Sequence, residues 1–82
     1  MKLMWVLNCG IIRQVCIENN FYNAGDNEEY ENMFSKVMEK KNYLTVEEVF
    51  EIAEDITAHT SRKVTVKFVA ECLLNAGHVL IN

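Results

Sequence analysis

The chain has 82 residues, 50% of them hydrophobic, and its 8 Lys plus Arg against 12 Asp plus Glu give a formal charge of -4. That length allows one domain, residues 1–82, with a modest core, and the acidic balance disfavours a chain that coats nucleic acid, where phosphate contacts demand concentrated positive charge. Cys9, Cys16 and Cys72 are an odd number with no CxxC pair, which suits small buried hydrophobes in a reducing compartment better than a disulfide framework. His59 and His78 lie too far from any Cys cluster to suggest a zinc ligand set, so no metal or cofactor is expected. The absence of proline fits a mainly helical chain.

From Met1 to Glu18 the chain reads MKLMWVLNCGIIRQVCIE. The apolar run is broken at Asn8 and again at Arg13, and it lacks a small-residue cleavage site, so export is not expected. It is also too short to span a bilayer. A cytoplasmic protein without membrane insertion is the expectation. Trp5, Cys9, Ile12 and Cys16 share one face at helical spacing, with Met4, Ile11 and Val15 beside them, which predicts an amphipathic helix. Two alternatives stay open. Leu3 to Leu7 could be a strand pairing with the tail His78 to Ile81, with Gly10 as the break before a helix, or this apolar terminus could dock on a partner or membrane surface.

Asn19 to Gly25 (NNFYNAG) reads as a turn-rich linker, with Phe21 and Tyr22 anchoring it to the core. Asp26 to Lys41 then carries the start signature Asp26-x-x-Glu29. Its apolar residues Tyr30, Met33, Phe34, Val37 and Met38 fit the amphipathic template, and acids at its start and Lys40–Lys41 at its end match the helix dipole. A further helix follows from Thr45-Val46-Glu47-Glu48, a capping box, with Leu44 placed to staple onto Val49. Val46, Val49, Phe50, Ala53 and Ile56 mark its buried stripe, and Glu47, Glu48, Glu51, Glu54 and Asp55 make the rest acidic.

Thr57 to Ser61 (TAHTS) reads as a polar turn, with Thr60 or Ser61 as the N-cap of a last helix. Beyond it the patterns conflict. Val64, Val66 and Phe68 alternate like a strand, whereas Phe68, Val69, Cys72, Leu73 and Ala76 follow a helical face. Ala76-Gly77 reads as a helix C-cap and favours the helix, leaving His78 to Asn82 as a short extended tail.

The segments FSKVMEKKNYLTVEEVFEIAE, SRKVTVKFVAECLLNAG and HVLI, within residues 30–81, resemble the first two helices, recognition helix and first wing strand of the helix-turn-helix and winged-helix DNA-binding regulators. That resemblance implies base and phosphate contacts from Ser61, Arg62, Lys63, Thr65 and Lys67. The residues themselves depart from it. TAHTS is longer than the tight turn of that family, no second wing strand follows HVLI, and Val66, Ala70 and Leu74 make a second apolar stripe where a DNA-reading face needs polar and cationic groups. A helix apolar on two sides is buried on both, or buried on one and docked on a protein with the other. Trp5, Val66, Ala70 and Leu74 are therefore the candidate partner-binding residues, for another protein or a second copy of the chain. The competing expectation is that the N-terminal helix simply covers that stripe.

No catalytic pattern stands out. Ser61, His59 and Asp55 could be assembled into a Ser-His-Asp set on paper, but neither a nucleophile elbow nor a Gly-rich oxyanion loop accompanies them, and there is no P-loop or dinucleotide fingerprint. The length, the Asn-, Lys-, Glu- and Ile-rich composition and the lack of an enzyme motif also resemble the small accessory proteins of large lytic phages. Among these are T-even-type lysis-inhibition accessory proteins, which work beside a holin and an antiholin. The sequence thus predicts a mainly α, compact four-helix domain with a helix-turn-helix-like C-terminal half and, as a further expectation, a small strand pairing of the termini. The expected role is a non-enzymatic accessory or regulatory protein working through protein contacts, with a DNA-binding transcriptional regulator as the alternative.

Overall fold

The computed structural model describes residues 3–21, 43–60 and 62–81. In chain order these form β1 (Leu3–Val6), α1 (Cys9–Glu18), β2 (Tyr43–Leu44), α2 (Val46–His59), α3 (Val66–Ala76) and β3 (His78–Ile81). The strands make one antiparallel sheet in the order β2-β1-β3. Three helices beside a three-stranded sheet make an α+β fold, which corrects the mainly α four-helix domain that helical periodicity predicts. The expected helix Asp26–Lys41 lies outside the described residues.

The correction begins at the N-terminus. Leu3 to Val6 is a strand, because its backbone donors and acceptors are taken up on one side by β3 (Leu3↔Ile81, Met4↔Leu80, Trp5↔Val79, Val6↔His78) and on the other by β2 (Trp5↔Leu44, Val6↔Tyr43). Trp5 therefore does not share a helix face with Cys9, Ile12 and Cys16. The break falls at Asn8, whose side chain accepts from the Ile11 amide at 2.9 Å and caps α1. Gly10, the expected break, is the second residue of that helix.

At its other end α1 closes in a Schellman arrangement. The Phe21 amide donates to the Cys16 carbonyl at 2.8 Å and the Asn20 amide to that of Ile17 at 3.3 Å, while Asn20 takes a left-handed φ of 58°. Asn is among the few non-glycine residues that adopt this conformation readily. The motif drives Phe21 into the core, where it is fully buried.

Helix α2 starts as its sequence predicts. Thr45 and Glu48 form both halves of the capping box, and Leu44 and Val49 on either side of it are fully buried. Its other end runs further than expected. Thr57, Ala58 and His59 are helical, with the Thr57 hydroxyl donating to the Ala53 carbonyl at 2.6 Å, so TAHTS is not a turn. The chain instead crosses to α3 through residues 60–65, and the N-cap of α3 is Thr65, whose hydroxyl accepts from the Phe68 amide at 3.1 Å. Thr60 does not cap it, and Ser61 lies outside the described residues.

One core joins these elements. Leu7, Ile12, Cys16, Phe21, Leu44, Val49, Ala53, Ile56, Val69, Ala70 and Leu73 are fully buried, with Val15 and Ile52 nearly so. Gly77 ends α3 with a φ of -86°, an ordinary value, so a left-handed turn is not what selects it. Space is: a Cβ there would come within 2.9 Å of Leu7 side-chain carbons and 3.0 Å of the Val6 carbonyl oxygen. Glycine lets β3 leave α3 directly against β1.

Candidate interaction surface

Directly opposed residues of antiparallel strands point to the same face of a sheet, so the register sorts the strands into two faces. Leu3, Trp5, Leu44 and Val79 share the inner one. Leu44 is fully buried there, as is Leu7 just past the end of β1, and Trp5 is half-buried against the core under the helices. Met4, Val6, Tyr43, His78 and Leu80 share the outer face. Tyr43 is 48% exposed and Leu80 43% exposed, with Met4 and Val6 half-buried beside them. None of these five residues is a Lys, Arg, Asp or Glu. On the inner face Leu3 and Val79 are 49% exposed as well. Four of the six exposed large hydrophobic side chains among the described residues thus belong to the sheet, the others being Ile17 and Phe68.

The expected partner-binding stripe fares differently. Ala70 is fully buried between α3 and the core, which removes it from any surface, while Val66 and Leu74 on either side of it are half-buried and packed on that core. The stripe that looks like a second apolar side in sequence is one flank of the buried side, centred on Val69, Ala70 and Leu73. Trp5 is likewise mostly turned inward.

The cationic set expected for DNA is also dispersed. Ser61 lies outside the described residues. Arg62 and Lys63 precede α3, Thr65 spends its hydroxyl on the N-cap, and Lys67 is exposed on the first turn. Arg62 is engaged within the molecule. Its guanidinium lies 5.7 Å from the Phe21 ring centroid and 5.8 Å from that of Phe68, and it donates to the Asn19 carbonyl. The two rings meet edge to face at 6.0 Å and 88°. This cluster fastens the α2–α3 connection to the end of α1, and the signal for it was visible in the Asn-rich end of α1 and the arginine after the polar run, though not their proximity.

Three other reactive side chains, His59, Cys16 and Cys72, lie on the helices. His59 Nδ1 lies 2.8 Å from the backbone carbonyl oxygen of Asp55, so the Asp55 carboxylate does not orient the ring as a Ser-His-Asp set requires. Burial pushes the Cys16 thiol up to about 11. Cys72 is also raised, first by desolvation, then by Glu71, with Arg62 pulling the other way. Among the described residues no cluster of three His, Cys, Asp or Glu side chains could hold a metal ion, and no helix is long and apolar enough to cross a membrane.

No family model, curated protein or solved structure matches the chain. The likenesses to helix-turn-helix regulators and to phage accessory proteins rest on sequence pattern and composition.

Proposed function

We propose that this is a non-enzymatic accessory or regulatory protein that works by holding another protein against the outer face of its sheet. The observation that carries this reading is the uncharged row of Met4, Val6, Tyr43 and Leu80, with Tyr43 and Leu80 nearly half exposed. An apolar patch bordered by polar surface marks a contact site, and a tyrosine at its rim offers a large rigid area together with a hydroxyl. The acidic outward sides of α2 and α3, with Glu47, Glu51, Glu54, Asp55 and Glu71 exposed, add a preference for a partner that is basic around its apolar centre.

The test compares two variants in extracts of the cells that make the protein. Tyr43→Asp should abolish retention of a partner that the wild-type chain holds, while Lys63→Ala with Lys67→Ala leaves it intact. Anisotropy of a labelled DNA duplex provides the opposing arm. Micromolar, salt-sensitive binding lost in the double lysine variant and kept by Tyr43→Asp would replace this reading with the DNA-binding one.

A further inference from the structure

We draw no further inference here: the strongest candidate, the surface patch at the start of α3 where Arg62, Lys63, Lys67 and Phe68 are exposed, carries nothing, because Arg62 and Thr65 are engaged within the molecule and nothing in the structure shows what covers the rest.

Discussion

The two faces of this small sheet are built from the same kinds of residue, but only the inner one contributes fully buried side chains. On the inner face Leu44, with Leu7 at the end of β1, is fully buried and Trp5 packs on the core, although Leu3 and Val79 are 49% exposed; on the outer face Tyr43, one residue before Leu44, and Leu80 on β3 stay nearly half exposed. What separates them is the helix layer on one side, since strand alternation alone assigns residues to two faces without saying which is covered. Leu44 and Leu7 should therefore act through stability, and Tyr43 and Leu80 through association.

The sharpest way to break that contrast is truncation on each side. Leu7→Ala removes packing at the point where β1, α3 and Gly77 converge and should cost about 2–5 kcal/mol in urea denaturation, the range for a large-to-small core change. Tyr43→Ser on the outer face should cost less than about 1 kcal/mol. Equal losses would mean that the outer face is as tightly packed as the inner one.

A second prediction probes how dry the core is. The folded Cys16 thiol sits near 11, against an ordinary 9.0. At intermediate pH the native state holds a proton that the unfolded state has released. The stability from this group is full below pH 9 and is lost as pH rises towards 11, up to about 2–3 kcal/mol. Thermal melts of wild type and Cys16→Ala across that window should converge as pH rises. Parallel curves would mean that the thiol is solvated.

The smallest effect is expected at the rim, where Arg62 bridges the Phe21 and Phe68 rings. Arg62→Ala should lower stability by about 1 kcal/mol, in line with an exposed cation–π contact and one charge-assisted hydrogen bond. Arg62→Lys should restore only part of it, because a compact ammonium cannot face both rings while donating to the Asn19 carbonyl. Full stability in Arg62→Ala would return this residue to the pool of free surface cations.

Where several local signals agreed, the sequence was a good guide. Leu44, Thr45, Glu48 and Val49 encode staple and capping box within six residues, and α2 begins there. Where two periods overlapped, it was not. The Leu3–Leu7 run satisfies a helical spacing with Cys9 and Ile12 and also a strand alternation, and nothing local chooses between them. The choice was made by β3, more than seventy positions away, and the pairing weighed only as an alternative is the one observed. The α3 stripe misled for a related reason: Val66, Ala70 and Leu74 look like a second apolar side until the position of the core shows that Ala70 lies at its centre. The outer face of the sheet, the candidate site, had no sequence signal of its own, because its residues come from three separated strands.

The sequence by itself determined the helices whose ends are written in neighbouring residues, since caps and amphipathic faces act over three or four positions. Tertiary structure alone decided that Leu3–Val6 is a strand, that Arg62 is held against two aromatic rings, that Gly77 is required for close approach, and which apolar residues reach the surface. Each of these depends on contacts between residues tens of positions apart, and local propensity carries no energy term for them.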